Sequence, residues 1–268
     1  MEIAGYIISL VIGILLGLTG SGGSILTVPV LVYLFRIQPV IATAYSLFIV
    51  GSTSLVGSFA KYKGGDINFK TAIIFGIPSI LTVFITRAFI VPAIPDEIFS
   101  IGSFLVTKSI LMMVLFAVLM LFASVSMIRN KIKPVAVVND QKKFKYPLIL
   151  LEGTAVGIIS GLVGAGGGFL IIPALILLSR LPMKQAVGTS LVIIAANSLI
   201  GFTGDLGKAE INWAFLLSIT GLAIAGIFIG NMISKKISGN DLKKAFGWFV
   251  LAMGIFIIIR ELISAGSN

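Results

Sequence analysis

The chain has 268 residues, 57% hydrophobic and only 11% charged, with a mean hydropathy of +1.13; a soluble domain carries roughly 25% charge, so this composition argues against a soluble globular enzyme. Cysteine and histidine are both absent, which excludes Cys/His zinc sites, thiol nucleophiles, disulfides and a Ser-His-Asp triad. The net charge of +10 lies between apolar runs, where basic residues signal topology rather than a nucleic-acid surface.

The apolar runs fall at 3–19, 25–35, 40–60, 69–91, 103–128, 147–163, 169–179, 185–204, 211–234 and 245–262. Each is expected to be helical, because in hydrocarbon a helix satisfies its own backbone. The first run, Ile3–Leu18, lacks a basic leader and an A-x-A end, so it reads as part of the membrane domain and not as a signal peptide. The basic stretch Arg129–Tyr146 is the one long polar linker. It divides the chain into an N-terminal membrane repeat (1–128), the linker (129–146) and a C-terminal membrane repeat (147–268).

The two halves repeat each other. Residues 17–69 align without a gap on 161–213, at a constant offset of 144, with about 19 identities in 53 positions. Matched pairs include Gly17/Gly161, Gly20/Gly164, Gly22/Gly166, Gly23/Gly167, Pro29/Pro173, Arg36/Arg180, Ser46/Ser190, Ser54/Ser198 and Asn68/Asn212. If the linker is cytoplasmic and each Gly-rich pair of runs returns to its own side, 15 Lys and Arg lie inside and 5 outside; if each pair crosses once, the count is 11 to 9. The positive-inside bias prefers the first arrangement. Each half then crosses an odd number of times. The expected fold is therefore an all-α polytopic membrane protein of two inverted-topology repeats, each a Gly-broken helical hairpin plus three transmembrane helices. Both termini are expected outside, in a multi-pass protein of the cytoplasmic membrane.

The Gly-rich motifs are Gly17-Leu-Thr-Gly-Ser-Gly-Gly-Ser24 and Gly161-Leu-Val-Gly-Ala-Gly-Gly-Gly168. The short runs that follow, 25–35 and 169–179, reach about 16 Å as helices. That is well short of the roughly 30 Å hydrocarbon core, so each turn is expected inside the membrane. Irregular backbone at that depth must be buried in protein or line a wet cavity. Helix starts facing one another there would offer N–H groups and positive dipole ends to an anion. The alternative use of these glycines is close helix packing. Gly226 and Gly230, four apart, are assigned to such packing.

Polar residues in the next span of each half, at matched positions, complete the expected site: Ser46, Thr53 and Ser54, then Ser190, Asn197 and Ser198. The expected substrate contacts are Gly20, Ser21, Gly22, Gly23, Ser24, Ser46 and Thr53 from the first half. Gly164, Ala165, Gly166, Gly167, Gly168, Ser190 and Asn197 come from the second. Arg36 and Arg180 are vestibule candidates, since a guanidinium holds an oxyanion bidentately, with snorkelling to head groups as the alternative. Glu152, a carboxylate inside an apolar run, is the candidate for proton coupling, or else pairs with a linker lysine. Arg87, Lys108 and the cluster at 235–244 are assigned to the interface.

The doubled Gly-x-x-Gly-x-Gly-Gly, each copy followed by an apolar stretch and a proline (Pro29, Pro173), resembles the TauE/SafE family of sulfite-exporter-type membrane transporters. That resemblance implies transport of a small sulfur-containing or organic anion such as sulfite or a sulfonate. With no nucleotide-binding loop, the expectation is a secondary transporter, not an enzyme, using alternating access. An anion channel and a cation-coupled transporter are the rivals. No cofactor, metal or nucleic-acid partner is expected; the expected partners are a small anionic substrate and the lipid bilayer, and self-association is left open.

Overall fold

The computed structural model describes residues 2–19, 23–101, 104–129, 146–177, 179, 181–208, 210–233 and 239–266. The chain order is helical. The first half runs α1 (Glu2–Thr19), α2 (Ser24–Tyr33), α3 (Pro39–Lys63), α4 (Phe69–Ile85) continued by a π-turn (Thr86–Ile90) and the short α5 (Val91–Ala93), then a hairpin of β1 (Glu97–Ile101) and β2 (Phe104–Thr107), and α6 (Lys108–Arg129). The second half runs α7 (Tyr146–Val163), α8 (Gly168–Leu177), α9 (Met183–Thr203), α10 (Trp213–Ile233) and α11 (Gly239–Gly266). Among the described residues, five helices are long and apolar enough to cross a membrane: Pro39–Lys63, Phe69–Ala93, Lys108–Arg129, Met183–Thr203 and Trp213–Ile233. The protein is a multi-pass, essentially all-α membrane protein.

The β-hairpin corrects the expected fold. Residues 104–107 were read as the start of a helix, yet Ile101 pairs with Phe104 and Ser100 with Leu105 in an antiparallel ribbon. The segments Glu-Ile-Phe-Ser-Ile and Phe-Leu-Val-Thr carry the β-branched and aromatic residues that favour strands. The residues of the linker between 130 and 145 lie outside the described ones.

Sequence signals set several helix ends. Pro39 occupies the first turn of α3, where its missing N–H costs nothing. Asn68 caps α4 by accepting from the Thr71 N–H at 3.0 Å, and its match Asn212 accepts from Phe215 at the start of α10 at 3.1 Å. Such side-chain caps are worth about 1 kcal/mol each. The short helices α2 and α8 both end with a six-residue return bond, Ile37 N–H to Leu31 carbonyl and Leu181 N–H to Leu175 carbonyl. Arg36 takes the left-handed conformation (φ 56°) that this ending requires and that glycine usually supplies.

Burial ranks the helices. Two thirds of the apolar windows of α3 and α9 are buried, against 33–39% for α4, α6 and α10, so α3 and α9 form the central crossed pair. Helices α6 and α11 pack on one another beside them. Large apolar side chains such as Ile73, Ile77 and Leu81 on α4, and Phe228 and Met232 on α10, point outward, as a lipid-facing surface does.

The first helix of each half packs on the other half. α1 lies along α10, where a side chain at Gly13 or Gly17 would strike the Ala223 or Ile227 carbonyl. α7 lies along α4, where a side chain at Gly157 or Gly161 would strike Ser79 or Thr86. The partners Ala223 and Ile227 are the offset-144 matches of Ser79 and Val83, so one crossed contact is made twice. Gly226 and Gly230 face the Leu10 and Ile14 carbonyls, the packing role assigned to them.

Candidate functional site

The second Gly turn is fully described and buried from Val163 to Gly168. Gly164, Gly166 and Gly167 take left-handed φ values of 72°, 67° and 69°, a conformation that glycine enters without the penalty a Cβ brings. The Gly164 N–H closes α7 on the Ser160 carbonyl at 2.9 Å, and the Gly167 carbonyl receives Leu170 and Ile171 at the start of α8, at 2.9 and 3.0 Å. The turn presses on the central pair. A Cβ at Gly166 would lie 2.5 Å from Ser198 Oγ on α9 and 3.0 Å from Val50 on α3; one at Gly164 would meet the Thr43 backbone at 2.6 Å. Ala165 is buried with them.

Of the first turn, Gly20, Ser21 and Gly22 lie outside the described residues. Gly23 is right-handed (φ −61°, ψ −25°) and opens α2. Its missing side chain makes room for α1: a Cβ would lie 2.6 Å from the Leu16 nitrogen and 2.7 Å from the Ile12 carbonyl. Gly23 thus lets α2 start close against α1, at the positions that match Ser160 and Val156 beside Gly167. Ser24 is buried and engaged.

The α3/α9 face divides in two. Thr53 donates to the Ile49 carbonyl at 2.5 Å and Ser190 to the Val187 carbonyl at 2.8 Å, so both hydroxyls are satisfied within their own helices. Asn197 Nδ2 donates to Ser79 Oγ on α4 at 2.6 Å. The fully buried Ser46, Ser54 and Ser198 hydroxyls and Asn197 Oδ1 have no hydrogen-bond partner. Buried polar atoms are ordinarily paired, so such orphans call for an explanation. The structure brings Ser198 against Gly166, while Gly167 rests on Ser160 and Val156 of its own hairpin.

Two other polar residues of this region act as clasps. The Asn68 N–H donates to Thr189 Oγ1 at 2.9 Å, and the Asn212 N–H donates to the Tyr45 hydroxyl at 2.7 Å. Tyr45 and Thr189 are matched positions, as are Asn68 and Asn212. Each central helix thus holds the start of the opposite half's next helix.

Arg36 is exposed at the end of α2, and Arg180 lies outside the described residues. Glu152 is half-buried on α7, and its Oε2 is buried without a hydrogen bond. A narrow apolar crevice, too tight for a water molecule, lies between α1, α2, α3 and α10, with Ser9, Ile12, Thr27 and Ile219 among its walls; it is not at the Gly turn.

The largest departure from expectation is Arg87. Assigned to the interface, it is fully buried, and Lys108 is nearly so at 8% exposure. Arg87 Nε donates to Asp205 Oδ2 at 2.7 Å, and Nη1 donates to Thr43 Oγ1 at 3.0 Å and to the Gly161 carbonyl at 3.3 Å. Lys208 Nζ closes over the pair by donating to the Ala88 carbonyl at 2.6 Å. The signal was present: Arg87 lies inside the apolar run 69–91, about a turn from its end, and an intramembrane cation is a functional candidate by default.

A family model described as Sulfite exporter TauE/SafE matches residues 6–257. The chain belongs to that family. Among relatives, a probable membrane transporter protein of Xylella fastidiosa (strain Temecula1) is 29% identical over 261 residues, covering 94% of this chain and 93% of its own length. The probable membrane transporter protein YunE of Bacillus subtilis is 28% identical, covering 97% and 99%. The probable membrane transporter protein MJ0441 of Methanocaldococcus jannaschii is 28% identical, covering 94% of each chain. No solved structure gives a significant match. The family, the relatives and the apolar helices agree on a membrane transporter.

Proposed function

We propose that the protein is a secondary transporter of a small oxyanion, sulfite or a sulfonate, moved across the cytoplasmic membrane by alternating access between two inverted halves. One observation carries the reading: a buried turn of left-handed glycines opens α8 directly against Ser198, whose buried hydroxyl has no partner. A helix start supplies N–H donors and a positive dipole end, and an unpaired hydroxyl in an apolar interior is costly. A small anion seated there would satisfy both.

The crossed packing of α1 on α10 and α7 on α4 supports two halves that move against each other, since each half carries a first helix bound to its partner. The turn is closely packed against α3 and α9, so a solute needs those elements to part before it enters, which favours a transporter over an open pore. A negative cell interior favours anion exit, so the membrane potential alone can drive export. Glu152 is the candidate for any proton coupling.

The test is sulfite flux into proteoliposomes of the purified chain. Flux should saturate, respond to an imposed potential, and fall several-fold in Ser198→Ala. Flux that never saturates would make the protein a channel, and no flux of any small oxyanion would end the reading.

A further inference from the structure

Arg87 and Asp205 form a buried ion pair. It joins α4 of the first half to the turn after α9 of the second. A buried ion pair is poor value as a fastener, because desolvating two charges offsets most of their attraction. The fold itself does not need it. Gly17 packs on Ile227 and Gly230 as Gly161 packs on Val83 and Thr86, which makes Asn231 the structural match of Arg87. The offset-144 match of Asp205 is Lys61, and that of Thr43 is Val187. The repeat-related positions therefore hold Asn231 and Lys61, which cannot form such a pair.

Helix α4 also widens into a π-turn over Thr86–Ile90, with Arg87 inside it. Such single π-turns gather at functional sites. The guanidinium is also incompletely used. Nη2 approaches Asp205 Oδ2 at 2.5 Å but makes no aligned hydrogen bond, so a single carboxylate oxygen serves two donor nitrogens in place of the two-oxygen fork that guanidinium geometry favours. Through Nη1 the same group touches Gly161, the first residue of the Gly motif, and Thr43, against which Gly164 is packed. The Asp205 side chain is 11% exposed while that of Arg87 is wholly covered. Something arriving from that end meets the carboxylate first.

We propose that Arg87 is the counter-charge for the transported anion at the second Gly turn, and that Asp205 occupies this place in the empty protein and gives it up when an oxyanion binds. The inference rests on the reading of the turn as an anion site and deepens it: the substrate class is a small oxyanion presenting two oxygens to a guanidinium, a sulfite, sulfonate or carboxylate. The exchange explains why the pair has no counterpart at the repeat-related positions Asn231 and Lys61. It gives the closed form a built-in competitor, so that opening is linked to the arrival of substrate.

The experiment measures sulfite affinity of the full chain in vesicles of zwitterionic phospholipid. Asp205→Asn removes the competitor and should bind sulfite roughly tenfold more tightly, within the usual range of coupling between exchanging ligands. Arg87→Gln combined with Asp205→Asn leaves no buried charge unpaired and should bind at least roughly tenfold more weakly than the native chain. Unchanged affinity in both, with normal sulfite binding by the native chain, overturns the inference and leaves the transport reading standing. A native chain that binds no small oxyanion removes both. Should the variants fail to insert, the native protein still decides: carbodiimide labelling of Asp205 should rise several-fold when methanesulfonate is bound, and equal labelling with methanesulfonate binding intact overturns the exchange.

Discussion

In the second half, Gly167 is left-handed and rests on Ser160 of its own hairpin, whereas its match Gly23 is right-handed and presses on the α1 backbone at Leu16 and Ile12. The second turn has a buried guanidinium at its first residue, and the matching place beside Gly17 is held by the backbone of Gly230 and Asn231. The repeated motif thus meets different neighbours in the two halves. Where the neighbouring helix is small-residue backbone, as α10 is at Gly226 and Gly230, the motif fastens helices. Where that helix carries Thr86 and Arg87 and widens into a π-turn, the motif is surrounded by polar groups able to meet a charge. The duplicated sequence repeats helix caps and glycine contacts in both halves, and a few unmatched residues, Arg87 and Asp205 among them, give the second turn its polar neighbours.

That contrast can be broken most forcibly at Arg87. Asp205→Ala leaves a buried guanidinium unpaired and should cost about 3–5 kcal/mol, while Asn231→Ala, at the matched place, should cost under about 1 kcal/mol. Thermal unfolding of the two variants in detergent, compared directly, measures the difference. Equal losses would show the halves to be energetically alike.

Next in size are the glycines. Gly164→Ala combines a left-handed φ with a clash against the Thr43 backbone, so it should fold poorly; roughly 2–3 kcal/mol is expected. Gly167→Ala carries the left-handed strain but meets only the flexible Ser160 and Val156 side chains, which limits the loss to about 1–2 kcal/mol. Gly23→Ala has an ordinary φ, so its cost comes wholly from prying α2 off α1. Restoring space with a smaller neighbour cannot rescue it, because the contact is backbone.

Two finer comparisons follow. Thr189→Val and Tyr45→Phe each remove one cross-half clasp and should each cost about 0.5–1.5 kcal/mol. The two effects should add if the clasps work independently. The smallest stability change should come from Ser198→Ala, since that hydroxyl has no protein partner. Stability should hold or rise by about 1 kcal/mol even as sulfite flux falls, and a clear loss of stability would mean that Ser198 is structural.

Much of this protein could be read without coordinates. The apolar runs specified the helices, because a chain in hydrocarbon must satisfy its backbone locally. The repeat offset of 144 paired Asn68 with Asn212 and Gly17 with Gly161, and both pairs do matching work in the structure. Other features were not legible. The run from 103 mixed strand and helix formers, and composition alone favoured helix over the β2 strand. Gly23 and Gly167 read alike, although one is right-handed and the other left-handed in the structure.

Sequence by itself determined that the chain lives in a membrane, that it is made twice from one pattern, and where most of its helices lie, since all three follow from hydrophobicity and local backbone preference. Tertiary structure decided where the charge sits. Arg87 and Asp205 are 118 residues apart, and no local rule relates them; their meeting depends on α4 crossing to α7 and α9 through glycines that let backbones touch. Burial of an ion pair is a property of that long-range contact, and so the electrostatics of the site became visible only once the helices were packed.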